Sequence, residues 1–275
     1  MKKIMISDFD GTIYGHNRQV NQEVIDLFHD LRKRGIITAI ATGRSLFTAK
    51  KVIAPSFPID YLILSSGAGL LNWQTQELLY HSHLSHQDTR TIANRLIEGE
   101  IDFMIHDKIP NNHFFDFFRF SAGNTDFHHR IDIYQEYARQ AQPDNYIYKE
   151  SSQLLAVLPP KSDFSFFDQE ILESYSIIHA TSPLDHQSRW IEIFPKNISK
   201  AQTAQLLCNF LNIDQQNVMA VGNDYNDLDL LDWAGSAFIV ENAPEEIKPK
   251  YYNIPSCHEN GIIDAAKIWL KLDKF

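Results

Sequence analysis

The chain has 275 residues, 44% of them hydrophobic, enough for one large α/β domain or a core with a second module. Its net charge of −10 and lack of a basic run argue against nucleic acid or an anionic membrane surface as a partner. A phosphorylated substrate stays open, because a local cation can invert the field in one cleft.

Two cysteines, Cys208 and Cys257, are too few for a disulfide framework, so a reducing cytoplasm is the expected setting. The opening MKKIMISDFDG has an apolar run of only about four residues, short of a signal h-region. No stretch approaches the roughly 18 apolar residues of a membrane span.

KIMI predicts a short strand that ends on Asp8-Phe9-Asp10-Gly11-Thr12. Two carboxylates two residues apart have a bland reading, a solvated turn, and a sharp one, paired oxygens for a hard cation or a reaction. Residues 21–34 predict a helix with Val24, Phe28 and Leu31 on one face and Ile25 beside them. Arg32, Lys33 and Arg34 fill its last turn, and Gly35 follows as a stop. GIITAIA reads as a buried strand stopping at Thr42-Gly43-Arg44. A helix with Leu46, Ala49 and Ile53 comes next, and YLIL is a third buried strand. Apolar strands alternating with amphipathic helices predict a parallel sheet covered on both faces. Residues 69–84 predict a hairpin about Trp73-Gln74-Thr75-Gln76.

The texture changes after Leu84. Residues 85–98 predict a helix opened by Ser85 with Asp88 three positions on. Strand-like runs follow: IDFMIH, HFFDFFRF, YIYKE, LLAVL, YSIIHA and RWIEIF, with helices expected over 130–141 and 163–174. Neighbouring strands of this kind pair as antiparallel hairpins, so a separate α+β module is expected. From about Pro195 the first texture returns: a helix capped by Ser199 with Ala204, Leu207 and Leu211 inward, then the strands NVMAV and AFIV. The predicted fold class is α/β, a doubly wound, Rossmann-like parallel-sheet core interrupted by an inserted α+β domain.

VMAVGNDYNDLDLL, residues 218–231, repeats the pattern of a buried strand stopping at an acidic turn, with a helix starting at Asn226 or Asp227. Parallel strands place their C-terminal ends on one edge, where α/β folds put ligands. Asp8, Asp10, Thr42, Asn223, Asp224 and Asp227 are therefore expected in one crevice. Four carboxylates there would repel without a divalent cation, and an oxygen-only set suits Mg²⁺. An EF-hand reading of DFDGT fails, since its glycine and final glutamate would fall on Ile13 and Gln19. Lys200 sits in the first turn of a helix, against the macrodipole. A snorkelling surface lysine explains that; so does an anion site made with the helix N-terminus.

In order, Asp8-Phe9-Asp10-Gly11-Thr12, Thr42-Gly43-Arg44, Lys200 and Gly222-Asn223-Asp224-Tyr225-Asn226-Asp227 resemble the four motifs of the haloacid dehalogenase-like hydrolases. The insertion resembles the larger cap of the Cof-type branch, and the likeness covers the whole chain. It implies a catalytic core over 1–84 and 194–275 and a substrate-specificity cap over 85–193. One departure stands out: the family usually has aspartate where this chain has Asn223, so the metal ligand is either that amide or Asp224.

The resemblance implies a Mg²⁺-dependent phosphatase of small phosphorylated metabolites, a sugar phosphate or similar phosphomonoester. Asp8 would attack phosphorus to form an aspartyl-phosphate, and Asp10 would protonate the leaving group and then activate water. Lys200, the Thr42 hydroxyl and the amides around Gly43 would position and neutralise the phosphate, Asn226 would orient Lys200 or the phosphate, and Arg44 would either reach the substrate or stand as a solvated surface residue. Asp8, the Asp10 carbonyl, Asn223 and Asp227 would hold the metal. A sugar phosphomutase on the same scaffold and a non-catalytic metabolite or metal sensor are the alternatives, and a monomer or homodimer is expected. Elsewhere His81, His83 and His86 are read as a surface cluster rather than zinc ligands. His128-His129-Arg130 marks either a substrate contact or an exposed helix start. The aromatic run 114–120 is read as core, and Cys208 as an inert core thiol.

Overall fold

The computed structural model describes residues 2–15, 19–160, 167, 169–182 and 184–272. The chain opens with β1 (Ile4–Ser7), α1 (Gln22–Lys33), β2 (Ile37–Ala41), α2 (Leu46–Lys50), β3 (Tyr61–Leu64), β4 (Gly69–Asn72) and β5 (Glu77–His81). It continues through α3 (His86–Glu98), β6 (Phe103–His106), β7 (Phe115–Phe118), α4 (Thr125–Ile133) and β8 (Ala138–Gln140). Then come β9 (Gln153–Leu158), α5 (Gln169–Ser174), β10 (Tyr175–Thr181) and β11 (Arg189–Pro195). It closes with α6 (Lys200–Leu211), β12 (Val218–Gly222), α7 (Leu228–Trp233), β13 (Ser236–Val240), β14 (Tyr252–Ile254) and α8 (Gly261–Leu270). Two compact units result, one of Met1–Arg44, Thr48–Tyr80 and Ser199–Phe275, the other of Ser45–Phe47 and His81–Ile198.

Among the described residues, the first unit holds one sheet of eight strands in the order β14-β13-β12-β1-β2-β3-β4-β5. It is parallel from β14 to β3, and β4 returns antiparallel on β3. The chain leaves β1 towards β2 and β3 on one side and later adds β12 on the other, so the winding reverses between β1 and β12. Open α/β sheets form their ligand crevice at such a reversal. Every residue of β1 is buried, as both faces are covered. Ile4, Ile6, Ala39, Ala41 and Ile63 pack with Ala204, Leu207 and Cys208 of α6 and Leu230 and Leu231 of α7. At roughly 25 cal/mol per Å², burying each large aliphatic side chain of this layer contributes about 1.5–3 kcal/mol. The inward face of α1 is Val24, Leu27, Phe28 and Leu31, with Leu27 taking the place expected for Ile25, and Gly35 ends the helix at φ +72°.

In the second unit, among the described residues, a mainly antiparallel sheet of six strands runs β10-β11-β9-β6-β7-β8. Ile92, Ala93 and Leu96 of α3 and Ile171 of α5 meet one face. Phe127 and Ile131 of α4 meet the other, over Met104, Leu155 and Val157. The α+β character matches expectation, but three of its elements differ. The helix expected over 130–141 lies at Thr125–Ile133, capped by Asn124, whose Oδ1 accepts from the Phe127 N–H at 3.3 Å. Residues 138–140 instead form β8, parallel to β7. YIYKE forms no strand: Tyr146 donates its hydroxyl to Asp116 Oδ2 at 2.7 Å and stacks edge-on against Phe118. Of the helix expected over 163–174 the structure gives α5, while residues 163–166 and 168 lie outside the described residues.

Candidate active site

The C-terminal ends of β1, β2 and β12 lie level, with Ser7 paired to both Ile40 and Val221. This registration puts the residues that follow each strand on one edge. Asp8 leaves β1 with its N–H on Val221 O at 2.8 Å, and only 5% of the residue is exposed. Its Oδ1 accepts from Lys200 Nζ at 2.7 Å, and its Oδ2 lies 3.1 Å from Thr12 Oγ1. Lys200 comes from the start of α6, capped by Ser199, and is wholly buried. The same ammonium donates to Asp227 Oδ1 at 2.6 Å. The apparent misplacement of a lysine in a helix's first turn is thereby resolved. Its charge is spent between two carboxylates, not on solvent.

Asp227 uses its second oxygen on the chain itself, Oδ2 accepting from the Asn223 N–H at 2.8 Å and the Asp224 N–H at 3.1 Å. Both of its oxygens are therefore engaged by donors of the chain, one by Lys200 and the other by the turn amides. Gly222 makes this turn possible, because a Cβ there would stand 2.6 Å from the Asp227 Cβ. One ammonium serving two buried carboxylates leaves a negative charge in excess. Burial, and then the neighbouring Asp227, push the Asp8 carboxyl up to about 7, against the opposing pull of Lys200. Burial also works against the Lys200 charge, but Asp227 and Asp8 outweigh it and hold the ammonium above its ordinary value.

Asp10, the next residue on the same side, is part-exposed and bound as a fork by Arg44: Nε to Oδ2 at 2.7 Å and Nη2 to Oδ1 at 2.6 Å. The guanidinium also lies over the stacked rings of Phe9 and Tyr14. The mutual repulsion expected of the acidic residues is thus met in part by the chain's own cations, Arg44 for Asp10 and Lys200 for Asp8 and Asp227. Thr42 is buried, and its Oγ1 accepts from the Arg44 N–H at 3.1 Å. Gly43 is exposed, and a Cβ on it would face Ser66 Oγ at 3.4 Å and Asn226 Nδ2 at 4.0 Å. Those two side chains therefore border the Gly43 turn, while the hydrogen bonds of Lys200 go to Asp8 and Asp227.

It is the Asn223 side chain that reaches the Asp8 end of the crevice. The inner atom of its amide stands 3.1 Å from Thr12 Oγ1, 3.1 Å from Asp8 Oδ2 and 3.0 Å from the Asp10 carbonyl oxygen; as nitrogen it donates to them, and as oxygen it meets two acceptors and the Thr12 hydroxyl. Oxygens held at 2.0–2.1 Å around an octahedral Mg²⁺ are about 2.9 Å apart along each edge. With the Asn223 oxygen turned inward, its spacing from the Asp8 and Asp10 oxygens fits that edge, and the excess negative charge fits a divalent ion. Among the described residues no cluster of three His, Cys, Asp or Glu side chains offers another metal centre. Elsewhere, His83 Nε2 accepts from the Ile109 N–H at 3.2 Å, and Arg130 lies over the Trp190 ring at 4.4 Å.

Sequence reasoning missed the loop after β3. Ser65, Ser66 and Gly67 are buried with φ of 49°, 53° and 107°, and Gly67 O accepts from Thr203 Oγ1 of α6 at 2.6 Å. A Ser-Ser-Gly triplet directly after a buried strand, on the edge that carries the other motifs, was the available signal.

A family model described as haloacid dehalogenase-like hydrolase matches residues 5–265. The Bacillus subtilis (strain 168) protein YxeH is 26% identical over 278 residues, covering 96% of this chain and 97% of that protein. The 5-amino-6-(5-phospho-D-ribitylamino)uracil phosphatase YwtE of the same organism is 24% identical, covering 95% and 96%. The solved structure of the phosphatase BT1666 from Bacteroides thetaiotaomicron superposes with a TM-score of 0.80 at 20% identity, covering 98% of this chain and 95% of that one. The chain belongs to the haloacid dehalogenase-like hydrolase family, as a phosphatase of the Cof type.

Proposed function

We propose that the protein is a Mg²⁺-dependent phosphatase of small phosphomonoesters, sugar phosphates or similar metabolites, working through an aspartyl-phosphate on Asp8. The observation that carries this reading is the Asp8 carboxylate itself, held at the winding reversal of the sheet between Lys200 and Thr12. A carboxylate nucleophile splits a slow displacement into two easier steps. In the first, a carboxylate oxygen of Asp8 bonds to phosphorus as the phosphorus–oxygen bond to the leaving alcohol breaks, and Asp10 supplies the alkoxide's proton. In the second, Asp10 takes a proton from water as that water attacks phosphorus. Phosphate leaves, and the Asp8 carboxylate is restored.

Phosphoryl transfer needs mostly position and charge compensation. Lys200 supplies a fixed positive charge at Asp8, and Asp227 fixes Lys200. Mg²⁺, held by Asp8, the Asp10 carbonyl and Asn223, would neutralise charge on the transferring group. Thr42, Gly43, Arg44 and Asn226 are assigned to the phosphate side of the crevice, Arg44 by way of Asp10. The substrate class is supported by the similarity to YwtE, a phosphatase of a ribityl phosphate.

A panel of sugar phosphates, nucleotides and phosphorylated cofactors, assayed for phosphate release with Mg²⁺ and with EDTA, tests the reading. Release from small phosphomonoesters in Mg²⁺ alone is expected. Asp8→Asn should lose at least 10⁴-fold of it, a modest share of the 10⁶-fold or larger enhancements typical of enzymes. Retention of activity within about tenfold in Asp8→Asn would refute the covalent route.

A further inference from the structure

The Asn223 amide has two orientations, and the chain alone satisfies only one of them: with the oxygen inward, that oxygen meets acceptors and the outer nitrogen meets donors. With the oxygen inward, Oδ1 faces the Asp8 Oδ2 and Asp10 carbonyl oxygens at 3.1 and 3.0 Å, and those two can donate nothing to it. With the nitrogen inward, the amide donates from the same place to Asp10 O at 3.0 Å and to Asp8 Oδ2 or Thr12 Oγ1 at 3.1 Å. The first arrangement is stable only with a cation among the oxygens. The second is stable only without one.

Thr12 carries the same alternative. Its single hydroxyl proton reaches either Asp8 Oδ2 or Asn223 Oδ1, each at 3.1 Å. When the amide nitrogen points inward and donates to Thr12 Oγ1, the hydroxyl gives its proton to Asp8. When the oxygen points inward, the hydroxyl can donate to Asn223. Room for the outer amide atom comes from Gly11, where a Cβ would stand 2.5 Å from Asn223 Nδ2. An aspartate at 223 has no second orientation, because both its oxygens are acceptors.

We propose that Asn223 is an internal stand-in for the metal. Its NH₂ group occupies the cation's side of the oxygen cluster in the metal-free protein, and the amide turns its oxygen inward when Mg²⁺ binds. This rests on the Mg²⁺ assignment made above. The consequence is a site that is satisfied when empty and that binds the free ion weakly. The loss of a full ligand charge and the three-centre donation given up on loading act in the same direction. An aspartate would reverse both terms.

The test compares wild type, Asn223→Asp and Asn223→Ala as purified full chains at pH 8, in EDTA and across a Mg²⁺ titration. The readouts are thermal melting, Mg²⁺ calorimetry and the side-chain ¹⁵N–¹H₂ signals of Asn223, identified by their loss in the aspartate variant. In EDTA, Asn223→Asp should melt about 5 °C below wild type, as acceptors then face a carboxylate. Mg²⁺ should bind it about tenfold more tightly than wild type, and Asn223→Ala more weakly. The Asn223 amide protons should shift on Mg²⁺ addition to wild type. Mg²⁺ binding with an Asn223→Asp variant as stable as wild type in EDTA, or with unmoved Asn223 signals, would overturn the stand-in while leaving the metal reading intact. Absence of Mg²⁺ binding in all three proteins would overturn both.

Discussion

Arg44 and Asp10 form a two-bond fork, with Nε and Nη2 of the guanidinium on the two carboxylate oxygens at 2.7 and 2.6 Å. The geometry fixes the plane of the Asp10 carboxylate as well as its distance from the β1 end. Arg44 is therefore a positioning residue in the proposed mechanism. Arg44→Lys loses the fork and keeps the charge, so it should behave like Arg44→Ala rather than like wild type. Both should lower kcat by about 10- to 100-fold with little change in KM, the usual cost of a misplaced catalytic group. A rise in KM at constant kcat would instead mean that Arg44 holds the substrate.

Asp10 itself should show its role through the leaving group. A phenolate with a low pKa departs with little protonation, whereas an alkoxide needs the proton. Asp10→Asn should thus lose far more activity on a sugar phosphate than on p-nitrophenyl phosphate. Equal losses on both would assign Asp10 to structure.

Lys200 should matter for stability as much as for chemistry. Replacing it with methionine strands the Asp8 and Asp227 carboxylates, one nearly and one wholly buried, without their shared cation. Removing one member of such a buried group costs about 3–5 kcal/mol. Adding Asp227→Asn to Lys200→Met removes one stranded charge, so the double variant should melt above the single one. Denaturant midpoints read this directly, and strict additivity would deny the coupling.

His106 predicts the acid limb of stability. It is 5% exposed, and its Nδ1 stands 2.8 Å from the Asn112 carbonyl oxygen. Burial, and then the Arg130 charge, push the imidazole down to about 3 from 6.5. Between those values the unfolded chain binds the proton and the folded one does not. The His106 contribution to stability is therefore complete above about pH 6.5 and is lost on acidification, by up to about 1.4 kcal/mol per unit until pH 3, while the raised Asp8 carboxyl contributes the opposite slope over part of that range. His106→Gln should flatten this slope in melts between pH 4 and 7. An unchanged slope would place the acid sensitivity in other groups.

The residues read most easily from sequence were those tied to strand ends. Asp8, Thr42 and Asn223 each follow an apolar run, and the parallel register brings such ends to one edge whatever their separation in the chain. Lys200 was legible as a broken local rule, a cation in a helix's first turn, although its partners Asp8 and Asp227 were not. The Arg44 fork was not legible, since no periodicity marks a pairing between side chains 34 positions apart. Ala138–Gln140 became a strand because β7 offered an edge to pair with, and the segment's own composition gives no strand preference. Tyr146 follows the same logic in reverse. An aromatic residue with strand propensity serves as a loop-borne cover because Asp116 takes its hydroxyl.

The reversal of winding between β1 and β12 sets an order of events at the ribosome. β1 finds its neighbour β2 within the first 41 residues, but its other neighbour begins only at Val218. Throughout synthesis of the intervening chain, one flank of a strand that ends up wholly buried is an unpaired edge, the kind that recruits other strands. The second unit, almost all contiguous over His81–Ile198, can complete its own sheet in that interval. A nascent chain halted before residue 218 would therefore carry a finished insertion beside a half-built core, and it is the stage at which this protein is most exposed to aggregation and to chaperones.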